Sequence, residues 1–133
     1  MYNVGVIGLG AIAEGYGSPE DPNSYCHVGG IMSSDCVRLA AVADLDTARR
    51  DNFKTKWGGV FPDVAYYDSA ADLLGAGCDI IAVCVRGPHH FSVMQEVIAA
   101  GPTAIFLEKP PTCSLAEMDA MVAAAKAQSI PIT

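Results

Sequence analysis

The chain has 133 residues, the size of one ordinary domain, and is 51% hydrophobic and 17% charged; this supports a core buried on both sides of a sheet and excludes a disordered segment. The formal net charge of −7 excludes a nucleic-acid backbone as the expected partner, because phosphate binding needs clustered Lys and Arg. The five cysteines contain no C-x-x-C pair, so no metal site or redox pair is expected and a reducing cytosol suits them. With no basic, apolar leader and no apolar run near the ~18 residues that span a bilayer, the expectation is a soluble cytoplasmic protein without membrane contact.

NVGVIG (3–8) opens the chain as a strand and runs into Gly8-Leu9-Gly10-Ala11-Ile12-Ala13. That is a G-x-G-x-x-A match at the end of a strand, where it is expected to open a helix, as a dinucleotide fingerprint requires. Gly8 suits the tight turn, Gly10 lets a pyrophosphate approach the backbone, and Ala13 lets helix pack on strand. Amides near Ala11 and Ile12 would meet the phosphate charge. The bland alternative is a strand-to-helix turn that needs small residues only for packing. GSPEDPNSY (17–25), with two prolines, reads as an inserted surface loop.

VRLAAVAD (37–44) is the second strand. Asp44 at its end suits ribose hydroxyls and favours NAD, with Leu45 and Arg49 beside it. It stands 34 positions after Gly10 (44 minus 10), against about 20 in the usual fingerprint, and the loop absorbs part of the excess. Arg49 and Arg50 leave NADP open, and a plain helix N-cap is the competing role for Asp44. A helix over 46–57 stops at Gly58-Gly59. VAYYD (64–68) is a weaker strand. Ser69 to Asp72 resembles a capping box.

DIIAVCV (79–85) and TAIFLE (103–108) are the last full strands. Like the first two, they are nearly continuous in apolar residues, as strands read when both faces are covered. Between them, a helix over 89–100 puts Phe91, Met94, Val97 and Ile98 on one face. Ser114 to Glu117 is a full capping box, followed by Leu115, Met118, Val122 and Ala125 at core spacing. Ile130 begins one more strand, and the run stops mid-strand, which suggests a fragment cut before a second domain. The fold class is therefore α/β: a doubly wound parallel sheet (Rossmann fold) in three α/β/α layers, with strand order 3-2-1-4-5 and a sixth strand starting. Residues 1–133 form one dinucleotide-binding domain. A methyl-donor enzyme shares the glycine turn and the acid, but has no need of what ends the fifth strand.

That strand ends in Glu108-Lys109-Pro110-Pro111. In an open parallel sheet, ligands sit beyond the carboxyl ends of the strands. A lysine there can meet a reacting hydroxyl or carbonyl, and proline, in trans or cis, fixes the turn that aims it. A surface ion pair before a loop is the competing reading.

The set GLGAIA, AAVAD, VCVRGPHH and LEKP, in this order, resembles the N-terminal domain of the glucose–fructose oxidoreductase, inositol dehydrogenase and rhizopine-catabolism (Gfo/Idh/MocA) family over essentially the whole chain. The resemblance implies an NAD(P)-dependent oxidoreductase acting on a secondary alcohol of a sugar, polyol or related compound. It implies that Lys109 lies against nicotinamide and substrate and assists hydride transfer, with Glu108 beside the cofactor. Cys84, Val85, Arg86 and Pro88 would line the adenosine and nicotinamide side. The family's usual histidine, four residues after its proline, is best matched by His90 if a deletion is assumed. His27 stands where members often carry a histidine and is expected to be structural. The family's second domain, with its substrate pocket, is not in these 133 residues, so the competing function is a stand-alone nucleotide-binding or regulatory module without turnover. Homo-oligomerisation is left open.

Overall fold

The computed structural model of the chain describes residues 1–21, 23 and 25–133. Five strands, β1 (Tyr2–Ile7), β2 (Val37–Ala43), β3 (Ala65–Tyr67), β4 (Ile80–Val83) and β5 (Ala104–Leu107), form one sheet in the order β3-β2-β1-β4-β5. Every neighbouring pair is parallel. This is the doubly wound Rossmann arrangement that the sequence predicts. The expected sixth strand is a single parallel bridge between Ile132 and Ile105. Pro22 and Ser24, within the inserted loop, lie outside the described residues.

The helices are α1 (His27–Met32), α2 (Thr47–Trp57), α3 (Ala70–Leu74), α4 (Gly87–Ala100) and α5 (Leu115–Ala127). They cover both faces of the sheet, so alternate strand residues enter two different cores. Val4, Val6 and Ala82 pack with Val28 of α1 and with Phe53 and Trp57 of α2. Ile7, Ile81, Val83 and Ile105 pack with Leu73, Met94, Val97 and Met121 of α3, α4 and α5. Two-sided burial is why the strands are continuously apolar and do not alternate.

The helix starts follow their caps. Asp46 accepts the Ala48 amide at 2.9 Å, Ser69 that of Asp72 at 3.1 Å, and Ser114 that of Glu117 at 3.2 Å. Glu117 accepts the Cys113 amide in return at 3.0 Å. α4 stops at Gly101, whose φ of 69° turns the chain left-handed.

Two expectations are corrected. No regular helix follows the glycine turn: residues Ala11–Gly15 make one π-helical turn, and helix resumes only at α1. The inserted loop divides the helix, and α2 secures the first piece. The Glu14 carboxylate accepts the Trp57 indole N–H and the Lys56 ammonium, both at 3.1 Å. On α5 the buried positions are Met121 and Ala125 with Met118 partly covered, whereas Leu115 is 84% and Val122 37% exposed. Met118, Met121 and Ala125 fall at i, i+3 and i+7, so the inward face is rotated about one residue from the stripe expected.

Candidate functional site

Parallel strands put all their carboxyl ends on one rim. β1 is the point where the connections part, with β2 and β3 to one side and β4 and β5 to the other. A crevice of about 970 Å³ opens on that rim, large for a small-molecule site. Its walls include Gly8, Gly10, Ala11 and Ile12 after β1, Asp44, Leu45 and Arg49 after β2, and Cys84, Val85 and Arg86 after β4. Lys109, after β5, lines the same crevice.

Gly8 and Gly10 differ in kind. Gly8 has φ +92°, and a Cβ on it would sit 2.8 Å from the Cys84 carbonyl carbon and the Val85 nitrogen. The fold itself requires glycine there, because β1 and β4 press together at that point. Gly10 has an ordinary extended backbone, and a Cβ on it would meet nothing within 4 Å. No packing demand explains the missing side chain at Gly10; the open space beside it belongs to the crevice. The first amides of the π turn, at Ala11 and Ile12, have no acceptor within the turn and line that space.

Asp44 ties the two motifs together. Its Oδ2 accepts the Leu9 amide at 2.8 Å, inside the glycine turn, and its Oδ1 accepts the Asp46 amide at 2.9 Å. Arg49 lies 3.5 Å from the same carboxylate, and Arg50 donates to the Asp44 carbonyl at 2.6 Å. The side chain is 9% exposed. Oδ2 thus meets both the Leu9 amide and Arg49, while Oδ1, with one amide, keeps a second lone pair for a ligand hydroxyl.

Three residues expected at the cofactor, Pro88, His90 and Glu108, are not among the crevice walls. Pro88 is in the first turn of α4. His90 is a core residue, 0% exposed, with Nδ1 2.6 Å from the Pro110 carbonyl oxygen and Nε2 2.8 Å from that of Val85. Carbonyls only accept, so the ring is the donor: a neutral imidazole satisfies one of them and a cationic ring both. His90 is thus a buried tie between the loop after β4 and the turn after β5, and not a wall of the crevice.

Glu108 turns away towards α1. Its Oε1 lies 2.8 Å from His27 Nε2, and its Oε2 accepts its neighbour's amide, that of Lys109, at 3.2 Å. Burial pushes this carboxyl up, but the hydrogen bonds from His27 and the Lys109 amide, with the nearby positive charge, outweigh it and hold the group below its ordinary range. The Lys109–Pro110 bond is cis. Cys84, on the crevice floor, is the opposite case: burial first, then the Glu108 charge and Cys26, push its thiol up to about 12. It is a protonated wall and not a nucleophile.

A model of the Gfo/Idh/MocA oxidoreductase family, described as an NAD-binding Rossmann fold, matches residues 2–133. The chain belongs to that family. It carries that family's NAD-binding Rossmann fold. Solved structures of similar fold include a probable dehydrogenase from Thermotoga maritima, with a TM-score of 0.78 and 25% identity, covering 98% of this chain and 34% of that one. The WlbA dehydrogenase from Chromobacterium violaceum, in complex with NADH and UDP-GlcNAcA, gives 0.78 and 20% over 99% and 34%. A myo-inositol 2-dehydrogenase from Lactobacillus plantarum gives 0.75 and 21% over 99% and 36%. The chain thus spans about a third of the solved structures it matches. A search of curated protein sequences gave no match.

In this Gfo/Idh/MocA domain the crevice has walls that motif reading did not find. Ser69 to Ala71, at the start of α3, and His89, Ser92, Val93 and Glu96, on α4, all line it. The α4 set has its own helical spacing, on the face beside the Met94, Val97 and Ile98 core stripe. That second stripe is the signal that could have marked it.

Proposed function

We propose that the crevice binds NAD along its length and that the whole enzyme oxidises a secondary alcohol of a sugar, polyol or related compound, or reduces the corresponding ketone. What carries the reading is that Gly10 and Lys109, 99 positions apart (109 minus 10), line one crevice at the point where the sheet connections part. The residues fit a dinucleotide. Gly10 leaves an opening that the fold has no use for, beside amides that start the turn, have no acceptor within it and suit phosphate charge. Asp44 keeps a lone pair on Oδ1 for a ribose hydroxyl and repels an added phosphate, which favours NAD over NADP; Leu45 and Arg49 border the same place. When bound, the nicotinamide supplies the hydride acceptor or donor.

The chain's own contribution to the chemistry is Lys109. Its side chain is exposed on the crevice wall, and among the described residues no carboxylate pairs with it within 4.0 Å. Its ammonium Nζ can hold a proton at the substrate oxygen or stabilise alkoxide charge there. The substrate class draws support from the UDP-GlcNAcA-bound dehydrogenase and the myo-inositol 2-dehydrogenase of similar fold. In the whole enzyme, Lys109→Ala lowers kcat by roughly 10²-fold or more, with a smaller change in cofactor affinity.

The direct test is a fluorescence titration of the chain with NADH and NADPH. Saturable binding is expected, tighter for NADH, and Asp44→Ala should narrow that preference. If folded chain binds neither, the reading is wrong; an unchanged preference in Asp44→Ala moves specificity to another residue.

A further inference from the structure

The sheet stops short of the residue on which the proposed chemistry depends. The last main-chain bond of β5 to β4 runs from the Glu108 amide to the Val83 carbonyl, at 3.1 Å. Beyond it, the Lys109 amide donates to its neighbour's carboxylate, that of Glu108, at 3.2 Å. The turn is nevertheless held on both sides of the lysine, by side chains. Before it, Glu108 takes the hydrogen bond from His27 Nε2 at 2.8 Å. After it, His90 Nδ1 lies 2.6 Å from the Pro110 carbonyl oxygen, within reach to donate to it.

The two histidines come from opposite layers. His27 opens α1, on the face packed around Val28 and Trp57. Its ring stands edge-on against Phe106 of β5, with centroids 4.7 Å apart. His90 lies in α4, on the face packed around Met94 and Val97. Its Nε2 reaches the Val85 carbonyl, so one buried ring joins the loop after β4 to the turn after β5. α4 also meets that turn directly: a Cβ on Gly87 would come 3.2 Å from the Pro110 ring.

We infer that His27 and His90 are positioning residues, a bracket that grips Glu108 and Pro110 from the two faces of the sheet and so fixes where the Lys109 ammonium points into the crevice. The significance of that direction rests on the role proposed for Lys109; the bracket itself does not. Burying a histidine at 0% exposure is costly unless its nitrogens are used, and a leucine would fill α4's core position without that cost. Here both ring nitrogens lie within hydrogen-bond distance of backbone carbonyls at the two loops that border the lysine, and the ring N–H has an acceptor at either one. A histidine that only packed would have no reason to reach them.

The chain suits a spectroscopic test, because it has only four lysines: Lys54, Lys56, Lys109 and Lys126. Reductive ¹³C-methylation of the whole chain gives one signal for each, and Lys109→Arg assigns the one of interest. In His27→Ala and in His90→Leu, which keeps the core filled, the Lys109 signal should move towards that of a free solvated lysine and sharpen. The other three should stay in place. His27→Gln and His90→Asn set an amide nitrogen near the lost Nε2 and Nδ1, and should restore most of the shift. A Lys109 signal unmoved in the folded variants overturns the inference. So does a common movement of all four signals, which would make the histidines mere packing. If His90→Leu does not fold, His27→Ala, at a partly exposed site, decides by the same two criteria. The spectra need no cofactor, so absent NADH binding would sink the dinucleotide reading and leave the bracket to be judged on its own.

Discussion

The two ends of the crevice are built by different means. At the β1–β2 end, backbone does the work: Gly8 lets two strands touch, Gly10 leaves an opening, and the Asp44 carboxylate clips the Leu9 amide. At the β5 end, side chains do it, with His27 reaching Glu108 across 81 positions and His90 reaching Pro110 across 20. The glycine turn itself is contiguous in sequence, and its two glycines cannot be replaced without filling space that a strand or the crevice uses. A side-chain bracket is assembled from distant parts, and it tolerates any substitution that returns a donor to the same place.

Separating Gly8 from Gly10 should break the first end in the most visible way. Gly8→Ala puts a Cβ into the backbone of Cys84 and Val85 at a φ that L side chains rarely adopt. We expect about 2–4 kcal/mol of lost stability in urea unfolding, from strain and overpacking together. Gly10→Ala should change stability by less than about 0.5 kcal/mol, because its Cβ meets nothing, yet weaken NADH binding by about tenfold or more. Equal losses of stability in the two variants would remove the distinction between a glycine the fold needs and one the ligand needs.

The same division explains what could be read from the sequence. The sheet order was legible because four strands carry continuous apolar runs with capped helices between them, and a parallel sheet is the economical way to bury such strands on both faces. The crevice was legible where a motif is contiguous, as in Gly8 to Ala13, or where a residue ends a strand, as at Asp44 and Lys109. His90 was expected at the cofactor by its match to the family's usual histidine, and the structure places it in the core instead. Its burial depends on Pro110, which only the folded chain brings near. His27 was read as structural, but its partner Glu108 could not be named from spacing. The α4 wall at His89, Ser92 and Glu96 went unseen because the core stripe beside it is the louder signal. The divided first helix was hidden too: nothing in the composition of the inserted loop says where helix resumes.

A milder perturbation sharpens the β5 end. Because Glu108 is held below its ordinary carboxylate range of about 4.5, its ionised form stabilises the fold above that range. The contribution is lost as pH falls through the folded-state value, since the unfolded chain takes up the proton more readily. Glu108→Gln should therefore be less stable than the natural chain by about 1–2 kcal/mol at neutral pH. The gap should close below about pH 4. Urea midpoints across that range measure it. A gap that stays constant down to about pH 3 would show that the His27 contact does not depend on the carboxylate charge.

The smallest effect tests the floor that joins the two ends. Cys84 is pressed under Gly8 on one side and feels the Glu108 charge on the other, and its thiol is pushed up to about 12. At about pH 8 its thiolate fraction is on the order of 10⁻⁴, so alkylation should be far slower than for a thiol of ordinary pKa, ~8.5. Iodoacetamide followed by mass spectrometry should label the exposed Cys36 and Cys113 first and spare Cys84 in the folded chain. Glu108→Gln removes the carboxylate charge that helps raise the thiol, but not the burial that dominates. It should quicken Cys84 labelling only modestly. If Cys84 reacts as fast as Cys36 in the unaltered chain, the contact between β1 and β4 at Gly8 opens readily. The glycine turn and the lysine turn would then have no common floor to hold them in register.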